Sequence, residues 1–299
     1  MPSENKLIDP ELMKMLERLN ITSRKLFPGA MKGKRRSVKR GSSVEFADYR
    51  DYQPGDDFRF IDWNIYARLN KLFLKTFMEE ENIYIHILLD TSPSMNFGTP
   101  SKLEYAKMLS SALAYIGLVN LDTVVLTIFS ENINTLKPMR GKDQIFPIID
   151  FLNNIPNSIN SSQASSIMGE CIRKYAIRTH HRGVAIIISD FLVPSNVYET
   201  GLKSLLYKNF DVKVIQILSE DELNPNLSGE LKLQDSETNE TKEVTITDSM
   251  LARYRLRLTK FCNDLKEFCL INNSTYILIN TASQFDDLIL HLRKENLFI

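Results

Sequence analysis

The chain has 299 residues, 43% of them apolar, and its 37 Lys and Arg balance 37 Asp and Glu. That length admits one large α/β domain with an appendage, or two modest domains. The even balance gives no argument for a polyanionic partner, nucleic acid is not expected because no reader motif is present, and the longest apolar runs, Ile83–Leu89 and Val184–Ile188, fall far short of a membrane span.

Charge is unevenly placed along the chain. From Lys14 to Arg40 ten basic residues face only Glu17, whereas Gly41 to Asp62 carries six acids and two arginines. The basic stretch, densest over residues 32–40, either solvates an exposed segment or meets phosphates, anionic lipid or an acidic protein face. The three cysteines, Cys171, Cys262 and Cys269, are scattered and odd in number, as expected of free thiols in a reducing compartment. Cys262 and Cys269 lie seven residues apart on an expected helix, about 10 Å along its axis, too far for a disulfide. Met1 to Lys14 has no continuous apolar region, so the expected location is cytoplasmic.

In chain order, a helix is expected near Pro10–Arg24, followed by the basic linker and aromatic-rich material that holds the only tryptophan. Together these form an N-terminal extension over residues 1–80. The domain expected over residues 81–299 alternates apolar runs with segments of helical period. Its strands are Ile83–Leu89, Val124–Phe129, Val184–Ser189, Val212–Leu218 and Thr275–Ile279; their Ile, Val and Leu content without polar alternation predicts strands buried on both faces of a parallel sheet. The helices are placed at Ser101–Asn120, Gln144–Leu152, Ser165–Arg178, Tyr198–Lys208, Thr247–Leu270 and Gln284–Lys294. Ser101 and Glu104 are spaced for a capping box. Such alternation implies a doubly wound, mostly parallel α/β sheet with right-handed crossovers. Leu231–Gln234 and Glu243–Thr247, flanking the polar run Asp235–Lys242, read as a β-hairpin inserted near residues 228–247.

Ligands of doubly wound sheets collect at the carboxyl ends of strands. Asp90 and Asp190 each end an apolar strand directly, where a carboxylate is poorly solvated unless something compensates it, and a cation is one answer. Asp90-Thr91-Ser92-Pro93-Ser94 forms a tight loop that turns Asp90, Ser92 and Ser94 toward one point. Carboxylate and hydroxyl oxygens without His or Cys are hard ligands, suited to Mg²⁺ or Mn²⁺ rather than Zn²⁺. A hydroxyl of Ser161-Ser162-Gln163-Ala164-Ser165-Ser166, ahead of a helix, is a further candidate ligand. Read structurally, the same serines are helix caps and Asp190 caps or turns the chain.

The segment Ile87-Leu88-Leu89-Asp90-Thr91-Ser92-Pro93-Ser94-Met95 resembles the metal-ion-dependent adhesion site (MIDAS) of von Willebrand factor A domains. Upstream, the run from Glu45 to Asp57, with Arg59, Ile61-Asp62-Trp63 and Ala67-Arg68, resembles the signature of the DUF58 family, and the likeness continues through Glu79-Glu80 and Ser189-Asp190-Phe191. The resemblance implies a von Willebrand factor A-like fold with Asp90, Ser92 and Ser94 as first-loop ligands of Mg²⁺ or Mn²⁺. It places Ser165 where the family carries a threonine, with Ser166 the alternative, and makes Asp190 the third-loop acid, acting through water. It also implies a non-enzymatic protein-interaction module that works beside a MoxR-type AAA+ ATPase, with a partner's acidic side chain completing the metal's coordination. Here the family's Gly-x-Gly turn reads Gly41-Ser42-Ser43, and the second loop lacks glycine.

The signature residues Asp48, Tyr49, Arg50, Tyr52, Asp56, Asp57, Arg59, Asp62, Trp63 and Arg68 admit two readings, a partner-docking surface or an ion-paired network. The competing function is a Mg²⁺-dependent phosphohydrolase with Asp90 as nucleophile. Against it, such a nucleophile wants a second acid two residues on, where this chain has Ser92. No Gly-rich phosphate loop, nucleophile elbow or Cys-His pair is present either.

Overall fold

The computed structural model describes residues 10–23, 46–77, 83–155, 164–226, 229–234, 241–295 and 297–298. In chain order its elements are α1 (Pro10–Leu16), β1 (Phe46–Asp51), α2 (Trp63–Leu69), β2 (Phe73–Phe77), β3 (Tyr84–Asp90), α3 (Lys102–Val119), β4 (Thr123–Phe129), β5 (Ile133–Thr135), α4 (Ile145–Asn153), α5 (Ala164–Arg178), β6 (Gly183–Ser189), α6 (Ser195–Tyr207), β7 (Asp211–Leu218), α7 (Glu220–Leu223), β8 (Gly229–Gln234), β9 (Thr241–Ile246), α8 (Asp248–Ile271), β10 (Thr275–Asn280) and α9 (Phe285–Lys294). The chain forms two units, one of residues 1–27 and 83–299 and one of residues 28–82.

The larger unit is built on a six-stranded sheet in the order β10-β7-β6-β3-β4-β5. All neighbours run parallel except the edge strand β5, which pairs antiparallel with β4. Because strand residues alternate between faces, Ile85, Ile87 and Leu89 of β3 pack with apolar residues of α3, α4 and α9, while Leu88 packs with those of α5, α6 and α8. Each face therefore needs a helical cover, which is why the strands are rich in apolar residues on both faces and why the fold is the doubly wound α/β class expected from the sequence. The five expected parallel strands are all present. β5 escapes the pattern because three residues, two of them polar, are too few to show a period.

Residues 1–27 belong with the α/β unit rather than with the rest of residues 1–80. Leu16, Leu19 and Ile21 are buried in the core that α3 and α4 line. Ile21 bridges Phe298 antiparallel, and Asn120 donates from Nδ2 to the Leu19 carbonyl at 2.8 Å. The first helix ends at Leu16 instead of running to Arg24, so Leu19 and Ile21 enter the core as extended chain.

The smaller unit pairs β1 with β2 antiparallel. Asp62 caps α2, accepting from the Asn64 and Ile65 amides at 2.9 and 3.2 Å, and also accepts the Tyr49 hydroxyl at 3.1 Å. Asp57 pairs with Arg59. These signature carboxylates are thus satisfied inside the unit, whereas Trp63 and Phe58 are about three-fifths exposed (59% and 62%). The basic segment 32–40 and Glu79-Glu80 lie outside the described residues.

The inserted hairpin is present as β8 paired with β9, and its tip, residues 235–240, lies outside the described residues. Cys262 and Cys269 sit on α8, and all three cysteines are free. Among the described residues, no helix is long and apolar enough to cross a membrane. Helices α5 and α6 meet at glycines. A Cβ on Gly169 would lie 2.1 Å from the Val197 carbonyl oxygen, and one on Gly201 3.1 Å from the Gly169 Cα, so only glycine permits this approach.

His86, in the middle of β3, is 1% exposed. Its Nδ1 lies 2.7 Å from the Tyr175 hydroxyl, Phe210 meets it edge to face, and Nε2 has no hydrogen-bond partner among the described residues. Burial, and then the charge of His181, push its pKa down to about 3. The unfolded chain therefore takes up a proton as pH falls below about 6.5 that the folded chain refuses until about 3, and stability drops through that window by up to ~1.4 kcal/mol per pH unit. Urea titrations at pH 7 and pH 5 are expected to show this loss in the wild type and a shallower one in His86→Phe. Parallel losses would place the acid sensitivity elsewhere.

Candidate metal and partner site

Reading outward from β3, the strand order reverses between β3 and β6, whose carboxyl ends carry Asp90 and Asp190. Such a reversal opens a crevice beyond the strand ends, because the connections on either side depart in opposite directions. The two acids are 5% and 2% exposed.

The loop after β3 is held from several sides. Thr91 donates from its backbone nitrogen and hydroxyl to the Phe129 carbonyl at the end of β4, at 2.9 and 3.1 Å. Asp90 Oδ1 accepts the Ser92 amide at 2.8 Å and Oδ2 accepts the Ser189 hydroxyl at 2.6 Å. A short 3₁₀ turn over Pro93–Asn96 follows, anchored by the fully buried Met95. These constraints bring the Ser92 and Ser94 hydroxyl oxygens to 3.1 Å from each other. Burial, and then the charge of Asp190, push the Asp90 carboxyl up to about 6, against the hydrogen bonds from Ser189 and Ser92.

Asp190 is held differently. Its Oδ1 accepts the Leu192 amide at 3.2 Å and its Oδ2 accepts Lys102 Nζ at 2.7 Å. Its backbone carbonyl accepts Gln216 of β7, which in turn accepts the Tyr276 hydroxyl of β10. The next residue, Phe191, is fully buried and takes a positive φ of 55°, a conformation that side chains other than glycine and asparagine adopt at a cost.

Lys102 is the residue that the sequence reading missed. As the first residue of α3 it reads as a solvated lysine, yet it is 0% exposed and also donates to Glu222 Oε1 at 2.5 Å. Burial works against its charge, but Asp190 and Glu222 outweigh that and hold its pKa above the ordinary lysine value. Removing one partner of a buried pair costs roughly 3–5 kcal/mol, so this cluster is a strong local constraint. Glu222 had a legible signal: Ser219 and Glu222 form a full capping box on α7. The box anticipated at Ser101–Glu104 shows its serine half, with Ser101 accepting the Glu104 amide.

Of the sequence-derived candidates, Asp90, Ser92, Ser94 and Asp190 come together here. Ser165 and Ser166 lie in the first turn of α5, with side chains outside the described ones. Among the described residues, no three His, Cys, Asp or Glu side chains converge on one point, so the oxygen donors at this site are carboxylates supplemented by hydroxyls.

The chain matches the family described as "Protein of unknown function DUF58" over residues 48–261. It therefore belongs to the DUF58 family. It is similar to the uncharacterized protein Rv1480 of Mycobacterium tuberculosis, 26% identical over 248 residues that cover 81% of this chain and 76% of that one. Among solved structures it is similar to the conserved hypothetical protein BatB of Bacteroides thetaiotaomicron, with 20% identity, a TM-score of 0.46 and coverage of 72% of this chain and 98% of that one. It is also similar to a von Willebrand factor type A protein of Catenulispora acidiphila, with 15% identity, a TM-score of 0.35 and coverage of 49% and 35%.

Two expectations follow from the geometry. Asp90→Asn keeps the site's shape while removing a buried charge that Asp190 opposes, so in metal-free protein at pH 7 the variant is expected to be more stable by on the order of 1–3 kcal/mol. A lower melting temperature would show that the negative charge of Asp90 is a net stabiliser. Gly98 has a φ of +97°, and a Cβ there would lie 2.6 Å from Ser219 Cβ. Gly98→Ala is therefore expected to destabilise by about 1–3 kcal/mol, read by thermal melting, and an unchanged melt would mean that the loop and α7 readily part.

Proposed function

We propose that this member of the DUF58 family is a non-enzymatic protein-interaction module that holds Mg²⁺ or Mn²⁺ at Asp90, Ser92 and Ser94. The metal receives an acidic side chain of a protein partner. The observation that carries this reading is the pairing of a buried carboxylate, pushed up to about 6 by burial and Asp190, with two hydroxyl oxygens 3.1 Å apart. Neighbouring oxygens of an octahedral Mg²⁺ shell with bonds of ~2.1 Å stand about 3 Å apart, so the donor set fits a small hard cation in spacing and in chemistry. When bound, the cation supplies the positive charge that Asp90 lacks and an open coordination position for a carboxylate.

This chain's own residues do the remaining work. Asp90 holds the charge, with Ser189 and the Ser92 amide orienting its carboxylate. Ser92 and Ser94 offer hydroxyls on a turn that Met95 fixes in place. Asp190, with its oxygens engaged by Lys102 and the Leu192 amide, acts through water and through its field. Ser165, at the start of α5, is the second-loop hydroxyl in this reading, with Ser166 the alternative. Phe97 and Leu192, 50% and 40% exposed, follow the two loops and supply apolar surface on which a partner packs around its carboxylate. The partner expected from the resemblance is a MoxR-type AAA+ ATPase, in the cytoplasm.

The test is retention of a MoxR-type ATPase from native lysate on immobilised protein, with Mg²⁺ or with EDTA. Wild type is expected to keep the ATPase only with Mg²⁺, and Asp90→Asn to lose it although folded. Equal retention with EDTA, or by Asp90→Asn, would overturn the metal bridge. Phosphatase activity that Asp90→Asn abolishes would overturn the non-enzymatic reading.

A further inference from the structure

Lys102 is a cation built into the acid cluster. Its ammonium group is fully inaccessible and lies 2.7 Å from Asp190 and 2.5 Å from Glu222, whose side chains are 3% and 11% exposed. One ammonium group thus serves two carboxylates, Asp190 and Glu222, while Asp90, met by a hydroxyl and an amide, stands outside that ion pair. Burying an ammonium group is costly unless it is paired, and α3 already has its cap in Ser101. The ammonium group therefore serves the acids, not α3.

We infer that Lys102 is a positioning residue that sets the affinity of the Asp90 site for a divalent cation and ties that site to α7. This inference rests on the metal reading proposed above. Lys102 lowers the negative charge that an incoming cation meets and takes the Asp190 oxygen that would otherwise be free to bind the cation directly. It leaves Asp190 to act through water and makes the site hold its metal loosely, so that a partner's carboxylate supplies the missing ligand charge. Like charges repel, so the ammonium group, held in place by Asp190 and Glu222, would oppose a cation at Asp90. Glu222 is the N3 residue of α7, where its Oε2 accepts the Ser219 amide, and its carbonyl accepts the Tyr254 hydroxyl of α8 at 2.9 Å. Lys102 in this way links the end of β6 to α7, and the Glu222 carbonyl links α7 to α8.

The test measures Mn²⁺ binding to EDTA-stripped, full-length protein by the loss of the free-ion EPR signal at pH 8, with melting curves as the control for folding. Lys102→Met is expected to bind Mn²⁺ at least tenfold more tightly than wild type. Glu222→Gln keeps the capping box but removes a negative charge, and is expected to bind severalfold more weakly. It also tests the inference on its own if Lys102→Met does not fold. Opposite shifts in the two variants support the role of Lys102. Equal affinity in wild type and variants, or weaker binding by Lys102→Met, overturns it while leaving the metal site standing. Absence of Mn²⁺ binding from wild type and from both variants overturns the metal reading and this inference with it.

Discussion

Two carboxylates at the end of adjacent parallel strands cannot both stay charged and buried without positive charge or strong donors beside them. That constraint organises the carboxyl end of this sheet. Asp90 is met by a hydroxyl and an amide, which soften its isolation but do not neutralise it. Asp190 is met by the ammonium group of Lys102, which is shared with Glu222. One acid is thus paired internally and the other is left with an unbalanced charge, and this asymmetry separates their roles. The oxygens of one acid are engaged by a cation and an amide, those of the other by a hydroxyl and an amide.

The surrounding backbone is specialised to hold this arrangement. Gly98 brings the loop after β3 within contact of Ser219, so this loop and the start of α7 are positioned against each other. The left-handed turn at Phe191 returns the chain after Asp190, and Gln216 and Tyr276 pin that turn to β7 and β10. Few of these residues touch the space beside Asp90. They fix the side chains that do, and a site built from strand ends and short anchored loops presents its oxygens with little conformational freedom to lose on binding.

The family match runs from the small β1–β2 unit into α8, so what relatives share includes both units. The small unit satisfies Asp56, Asp57 and Asp62 locally and leaves Trp63 and Phe58 exposed, a pattern that suits an aromatic contact surface as well as an ion-paired one. The α/β unit carries the polar site. The two provide different chemistry, apolar aromatic area in one and oriented carboxylate and hydroxyl oxygens in the other.

Much of this was legible without coordinates, for physical reasons. Strands buried on both faces are rich in Ile, Val and Leu without polar alternation, so β3, β4, β6, β7 and β10 stand out. An acid ending such a strand is conspicuous, so Asp90 and Asp190 are marked by sequence position alone. Ser92 and Ser94 are marked by their alternation after Asp90. What the sequence could not show is any relation that depends on which strands become neighbours. Asp90 and Asp190 are a hundred residues apart in the chain and meet only because β3 lies beside β6. Lys102 and Glu222 find each other only because α3 and α7 begin at the same end of the sheet. Nor does any local pattern tell a lysine in the first turn of a helix that it will be buried. Local chemistry marks which residues bring hard oxygen donors to the strand ends. The charge that balances them is a sum over distant parts of the chain, and only tertiary structure performs that sum.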